Sequence, residues 1–180
     1  MNYRFPLKDV VIEVSSQRKE VKNPTFNVGF YILNQNEFSM DMEGVAWFYA
    51  SRGNFISLVP YPGADKNAIE LYLNGSVYGA ILHQRKILPL HGSSFIWKNK
   101  GIIISGDSGA GKSSITAAFY LKDAEFMTDD VTPIVFYNGM PFIRNQSDRI
   151  KLWDNTLKQL KLENEGLIKV DPDNKKFYFQ

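Results

Sequence analysis

Residues 102–120 read IIISGDSGAGKSSITAAFY, and this stretch decides the fold of the second half of the chain. The β-branched run at 102–104 is typical of a buried strand, and residues 113–121 favour a helix. A glycine-rich loop joins the two directly. Residues 123–128 then predict a short strand that stops at Asp129 and Asp130. The order strand, loop, helix, strand predicts an α/β fold.

The loop at 106–113 satisfies the phosphate-loop (Walker A) pattern G-x-x-x-x-G-K-[ST]. Its glycines let backbone amides turn inward around phosphate oxygens, and the following helix directs its positive end at the same place. Lys112 would pair with phosphate charge, and the Ser113 hydroxyl would ligate Mg²⁺. We therefore predict binding of ATP or GTP with Mg²⁺. The predicted nucleotide-binding residues are Gly106, Asp107, Ser108, Gly109, Ala110, Gly111, Lys112, Ser113 and Ser114.

Two adjacent carboxylates and one histidine accompany the loop. In a parallel sheet, Asp129 and Asp130 would lie near the loop at the end of their strand. Because successive strand residues point to opposite sides, we expect one carboxylate to face Mg²⁺ or the loop serine and the other an acceptor hydroxyl. A solvated Asp-Asp turn is the alternative. His91 precedes the loop by one hairpin and can lie beside it; a buried structural histidine is the alternative.

Composition excludes several classes of protein. The chain has 180 residues, of which 44% are apolar and 22% charged, so it is neither disordered nor fibrous. A formal charge of +2 gives no reason to expect a nucleic acid or a membrane as partner. There is no cysteine, signal peptide or transmembrane run, so the expected location is cytoplasmic.

The rest of the chain is predicted from shorter patterns. Aromatic and β-branched segments between residues 2 and 62 predict a small antiparallel sheet, and residues 67–85 predict a helix in which Gly75 and Gly79 could pack closely against it. Residues 131–143 are strand-like around an Asn-Gly turn, and 154–162 predict a short helix with Asp154 as a possible cap. Trp97 and Trp153 are interpreted as core aromatics rather than base-stacking platforms.

Two other patterns are weak. GDSG at 106–109 occurs near the nucleophile of chymotrypsin-like proteases, but the next residue is Ala110 rather than glycine, and the chain is short for a double barrel. His83 and His91 have no carboxylate or thiol at ligand spacing, which argues against a metal site built on them.

Three segments together resemble a known family: HGSSFIW (91–97), GIIISGDSGAGKSS (101–114) and FMTDDV (126–131). They are similar to the catalytic core of HPr kinase/phosphorylase, a bacterial serine kinase family related in fold to phosphoenolpyruvate (PEP) carboxykinase. Residues 67–93 look like the smaller HPr-kinase-like proteins of lasso-peptide biosynthesis, some of which phosphorylate a serine of the precursor peptide. The resemblance implies a P-loop kinase-like core at 89–180 after an N-terminal β-rich portion with one helix at 1–88.

The resemblance also implies a role for each matching residue. Lys112 would bind phosphate, Ser113 would bind Mg²⁺, and Asp130 would take the proton from the substrate serine. Asp129 would support the metal or orient the loop, and His91 would help to position phosphate or the catalytic carboxylate. The predicted catalytic residues are therefore Asp130, His91 and Lys112, and the predicted metal ligands are Ser113 and Asp129.

The chain departs from the family pattern after residue 131. We find no counterpart of the downstream signature that supplies a further acidic ligand, nor of the catalytic arginine, so reversal by phosphorolysis is not expected. Asp148 and Asp154 are candidates to replace the acid, and Arg144 and Arg149 could reach phosphate. A short family member, a C-terminally truncated chain and a chain without activity all stay open.

Three functions follow as hypotheses. The first is ATP-dependent transfer of phosphate to a serine of a peptide or small protein. The second is a nucleotide-binding regulatory module without transferase activity, and the third is a small-molecule kinase. Because related kinases assemble into oligomers, a homo-oligomer is expected.

Overall fold

The computed structural model describes residues 3–145, 148–170 and 175–179, and its chain divides into two compact units, Met1–Ile87 and Leu88–Gln180. Both units are built mainly of strands with a few helices, so the protein is a mixed α/β structure. Within the described ranges, no helix combines the length and the apolarity needed to cross a lipid bilayer.

The first unit contains one six-stranded sheet with the order β1-β6-β5-β4-β3-β2. Its strands are β1 (Val11–Val14), β2 (Phe26–Val28), β3 (Tyr31–Leu33), β4 (Glu37–Met42), β5 (Ala46–Ser51) and β6 (Phe55–Pro60). The predicted antiparallel arrangement is confirmed for β2 to β6 but is wrong for β1, which pairs with β6 in parallel. No tight turn fixes the direction of β1, because the chain after it crosses the sheet to the opposite edge. On the way, the carbonyl of Lys19 accepts a hydrogen bond from Trp47 Nε1.

A helical stretch packs its apolar side into the core of this unit. It consists of α1 (Lys66–Tyr72), a π-helical segment (Leu73–Val77) and α2 (Tyr78–Gln84). The Asp65 carboxylate begins it by accepting a hydrogen bond from the Ala68 amide. Buried Leu73 and buried Tyr78 are five residues apart, and the wider π turn takes up the extra residue. The helix prediction is thus confirmed in extent, but the suggested close packing at Gly79 is wrong, since an added Cβ there would meet nothing within 4 Å.

The second unit is organised around one long strand. The strands are β7 (Leu88–Trp97), β8 (Lys100–Ser105), β9 (Glu125–Thr128), β10 (Val131–Tyr137) and β11 (Met140–Ile143), with α3 (Lys112–Tyr120) between β8 and β9. The predicted hairpin is confirmed as β7–β8, and the predicted Asn-Gly turn joins β10 to β11. Strands β9 and β10 follow each other along the other edge of β7.

The sheet around the loop is antiparallel, so the parallel sheet used to place the two carboxylates is wrong. Strands β8 and β9 both run antiparallel to β7, which lies between them. They consequently share one direction, and both end opposite the same part of β7: Ser105 pairs with Gly92, and Thr128 with Ser94. The two carboxylates therefore lie near the loop as expected. The end of β9 is separated from the end of β8 by β7.

Two further strands that the sequence patterns did not predict complete this unit. They are β12 (Ile150–Trp153) and β13 (Lys176–Phe179), which pair antiparallel, and β12 leads directly into α4 (Asp154–Gln159). Buried side chains of α3, β12 and α4 form one apolar cluster, consisting of Ala117, Ile150, Leu152 and Leu157. This cluster packs β12 and α4 against α3.

Candidate functional site

Two glycines of the loop have backbone conformations that favour glycine. Gly109 and Gly111 have φ of +84° and +88°, a region that side chains other than glycine enter only with strain. A Cβ built on either residue would meet nothing within 4 Å. Gly111 is the N-cap residue of α3, and no side chain caps that helix end. Lys112 Nζ donates hydrogen bonds to the carbonyls of Gly106 and Asp107, both at 2.9 Å, so it folds over the loop.

Asp129 faces the loop serine, as predicted for one of the two carboxylates. Ser113 Oγ donates to Asp129 Oδ1 at 2.8 Å. The other carboxylate oxygen, Oδ2, accepts from the backbone amide of Lys151 at 2.8 Å. Asp129 thus joins the first turn of α3 to β12.

Asp130 points to a different set of partners. Its Oδ2 accepts a hydrogen bond from Lys151 Nζ at 2.7 Å, and its Oδ1 lies 3.6 Å from His91 Nδ1. Its backbone carbonyl lies 3.1 Å from the same His91 nitrogen and accepts from the Gly92 amide. Asp130 has φ of +77°, so the chain kinks between β9 and β10 at this residue. The two carboxylates thus have different side-chain partners, but they follow the end of β9 at Thr128, so strand alternation does not set their directions. His91 is not a buried structural histidine, since its side chain is 59% exposed.

A buried network of hydroxyl groups holds this kink. Ser94 Oγ and Thr128 Oγ1 lie 2.6 Å apart, and Thr128 Oγ1 and Thr132 Oγ1 are also 2.6 Å apart. Ser93 Oγ donates to the carbonyl of Thr128. Because polar groups buried in this way are costly unless they are paired, the network fixes β7, β9 and β10 around the two carboxylates.

Burial and neighbouring charges shift the pKa values of three groups at the site. Burial raises the pKa of Asp130, but the charge of Lys151 and its hydrogen bond lower it by more, so that the pKa lies below its ordinary value. Burial lowers the pKa of Lys151, but Asp130 outweighs this effect and the net shift is upward. Both groups are therefore ionised at neutral pH. Burial, followed by the charge of Lys151, lowers the pKa of the nearby Lys176.

These groups surround one cavity of about 600 Å³, within the range of small-molecule sites. Of the predicted residues, the structure brings nine to this cavity: His91, Ser108, Gly109, Gly111, Lys112, Ser113, Ser114, Asp129 and Asp130. Gly106, Asp107 and Ala110 belong to the loop but do not line the cavity.

The candidates for a replacement acid differ from each other. Asp154 lines the cavity, although Lys158 Nζ and Asn164 Nδ2 both bind its carboxylate. It lies inside the first turn of α4 and makes no capping hydrogen bond, so the predicted cap is wrong. Asp148 does not line the cavity.

The two arginines suggested for phosphate do not line the cavity either. The guanidinium of Arg149 lies 4.1 Å from the ring centre of Tyr178. Across the described residues, no group of three or more His, Asp or Glu side chains is placed to hold a metal ion.

Six cavity residues are not among those that the sequence predicts for the site: Lys151, Trp153, Asn155, Thr156, Lys175 and Lys176. The interpretation of Trp153 as a core aromatic is wrong, because 45% of it is exposed. Trp97, by contrast, packs edge-on against Phe119 at 5.5 Å. In IKLW at 150–153, Ile150 and Leu152 alternate with Lys151 and Trp153, a short pattern that indicates a strand without saying what its second face contacts.

Comparison with known proteins identifies no relative: no family model, no curated protein and no solved structure matches the chain.

Proposed function

We propose that the second unit is an ATP-dependent kinase that transfers a phosphoryl group to a serine hydroxyl of a peptide or small protein, with an HPr-kinase-like P-loop core. The observation that carries this proposal is the meeting of the glycine loop, Ser113, Asp129, Asp130 and His91 around one cavity. Phosphoryl transfer needs little covalent chemistry from a protein and depends on positioning and charge neutralisation.

The phosphates would lie in the loop. The backbone amides at the start of α3 and the ammonium of Lys112 would bind their oxygens. Lys175 and Lys176 line the same cavity and would add positive charge, whereas the charge of Lys151 is paired with Asp130. The lining holds four lysines against three aspartates, so a positive charge is left for a polyanionic ligand.

A magnesium ion fits the oxygen groups beside the loop. Ser113 Oγ and Asp129 Oδ1 are 2.8 Å apart, and both are hard oxygen ligands of the kind Mg²⁺ takes. Mg²⁺ usually takes only one or two protein carboxylates, with phosphate oxygens and waters as the remaining ligands. Bound Mg²⁺ would neutralise charge on the phosphates.

Asp130 would receive the proton of the acceptor. The serine oxygen forms a bond to the γ-phosphorus, the bond from that phosphorus to the β–γ bridging oxygen breaks, and ADP leaves. The hydroxyl proton passes to the Asp130 carboxylate, which is ionised at neutral pH. His91 and Lys151 hold that carboxylate from two sides.

One observation favours the alternative of a nucleotide-binding regulatory module without transferase activity. Lys151 Nζ already binds Asp130 at 2.7 Å and lowers its pKa, which makes the carboxylate a weaker base. In a regulatory module this pair would serve only to hold the cavity together.

Mass spectrometry of serine peptides incubated with Mg-ATP separates the two functions. The kinase predicts one added phosphate per peptide, a loss of about 10²–10⁴-fold in rate for Asp130→Asn, and nucleotide affinity retained in that variant. Asp123→Asn is the matched control, since Asp123 also has positive φ, at +66°, and does not line the cavity. Nucleotide binding with equal background transfer in wild type and Asp130→Asn would favour the regulatory module instead.

A further inference from the structure

The strand β12 presents a second set of groups to the cavity, apart from the loop and the two carboxylates. Ile150 and Leu152 are buried in the apolar cluster. Since alternate strand residues point to opposite faces, Lys151 and Trp153 share the other face, the one that lines the cavity. Directly paired residues of neighbouring strands also share a face, and Lys176 of β13 pairs with Trp153.

Two contacts hold the chain on either side of Trp153, one to Asp129 and one to the first turn of α3. On its N-terminal side, the amide of Lys151 donates to Asp129 at 2.8 Å. On its C-terminal side, Thr156 Oγ1 lies 3.1 Å from Ser114 Oγ in the first turn of α3. Trp153 lies between these two anchors in the chain, about 7 Å along the strand from Lys151.

The indole of Trp153 is a large aromatic surface left open at the cavity. It is 45% exposed, although a tryptophan is among the most costly side chains to leave in water. Lys176 Nζ lies 5.5 Å from its ring centre, a cation–π contact that restrains the ring. Preorganisation of this kind lowers the ordering cost of binding.

We propose that Trp153 is the nucleobase platform of the site, on which the base of the bound nucleoside triphosphate stacks. The proposal rests on the proposed function, because it places the base of the same ligand whose phosphates lie in the loop. Stacking uses the π-face that every base has, so the platform is tolerant of base identity. ATP and GTP should therefore depend on Trp153 to a similar extent.

The test compares the affinities of Mg-ATP, Mg-GTP and inorganic tripolyphosphate by calorimetry. We expect Trp153→Ala to weaken both nucleotides about tenfold or more and to change tripolyphosphate affinity by less than about twofold. Trp153→Phe should retain most of the nucleotide affinity. Tyr137→Ala, an exposed aromatic that does not line the cavity, is the control and should change none of the three. Circular dichroism confirms that each variant is folded.

Fluorescence supplies an independent readout. Mg-ATP should quench indole emission in the wild type, tripolyphosphate should not, and the quenching should disappear in Trp153→Phe. Equal weakening of all three ligands by Trp153→Ala would overturn the platform, as would unchanged nucleotide affinity. Either result leaves the phosphate loop and the proposed function standing. Failure of the wild type to bind any of the three ligands would instead overturn the proposed function, and the platform with it.

Discussion

Glu70 in the first unit and Lys151 in the second are the charged side chains that the structure buries within its described ranges, at 7% and 8% exposed. Glu70 Oε1 accepts from the Arg4 amide at 3.0 Å and lies 3.8 Å from Lys66 Nζ, which is in solvent. Lys151 instead binds the cavity carboxylate of Asp130 through its side chain and that of Asp129 through its amide. One buried charge thus fastens a chain segment, whereas the other organises a cavity.

The largest expected effect is on stability and comes from the two apolar cores. Phe48→Ala in the first unit and Leu157→Ala in the second each remove a fully buried side chain, which costs about 2–5 kcal/mol of unfolding free energy. Only Leu157→Ala should also weaken Mg-ATP binding, because α4 carries Thr156, the partner of Ser114. Denaturant titration measures the first effect, and calorimetry below both melting temperatures measures the second. Equal loss of affinity in both variants would contradict this separation.

The next effect distinguishes the two buried charges. Lys151→Met should cost about 3 kcal/mol, at the lower end for a broken buried pair because Asp130 is still 33% exposed to water. Glu70→Gln keeps a carbonyl oxygen for the Arg4 amide and should cost about 1 kcal/mol. Chemical denaturation at pH 7 compares them. The two buried charges would not differ in role if both variants lost a similar unfolding free energy and both bound Mg-ATP as the wild type does.

A smaller effect depends on pH. The folded pKa of Asp130 is below its ordinary value of 3.8, so its contribution to stability is present above about pH 4 and is lost as pH falls through the folded pKa. Asp130→Asn keeps a side-chain oxygen that can accept from Lys151 Nζ, so it should cost less than Lys151→Met, about 2 kcal/mol at pH 7, and progressively less below pH 4. Urea denaturation at a series of pH values gives the curve. A cost that stays constant down to pH 2 would show that the ion pair contributes nothing.

The smallest effects come from two glycines, one in each unit. Gly79→Ala lies in α2, has open space for its Cβ and should stabilise the protein by about 0.5–1 kcal/mol. Gly109→Ala also has open space but has positive φ, so it should cost about 1 kcal/mol and weaken tripolyphosphate binding. Thermal unfolding measures both. Stabilisation by Gly109→Ala would mean that the loop backbone is not held in its left-handed conformation.

The parts of the site that could be predicted from the sequence are those fixed by local patterns. These parts lie within about forty positions of one another in the chain. They are the β7–β8 hairpin, the glycine loop with α3, and the end of β9 at the two carboxylates. Glycine conformation and strand alternation act locally, so the sequence carries them directly.

The remaining cavity residues could not be predicted because long-range pairing places them. Lys151 reaches Asp130 only because β12 pairs with β13 and packs against α3. The short run 150–153 contains two apolar and two other residues, which by itself does not say what its polar face meets. The kink at Asp130 is likewise set by hydroxyl groups from three strands rather than by its own neighbours.

The π segment at Leu73–Val77 bears on how this chain tolerates changes in length. An α-helix gains or loses about 100° of rotation with each inserted or deleted residue, which turns everything downstream away from its partners. In this chain the π segment already contains one residue more than an α-helical turn would hold. It lies between α1, which carries Ile69, and α2, which carries Ile81, and both of these side chains are buried. Deleting one residue inside this segment would convert it to regular helix with both flanks still facing the core, whereas the same deletion in α1 or α2 would expose them.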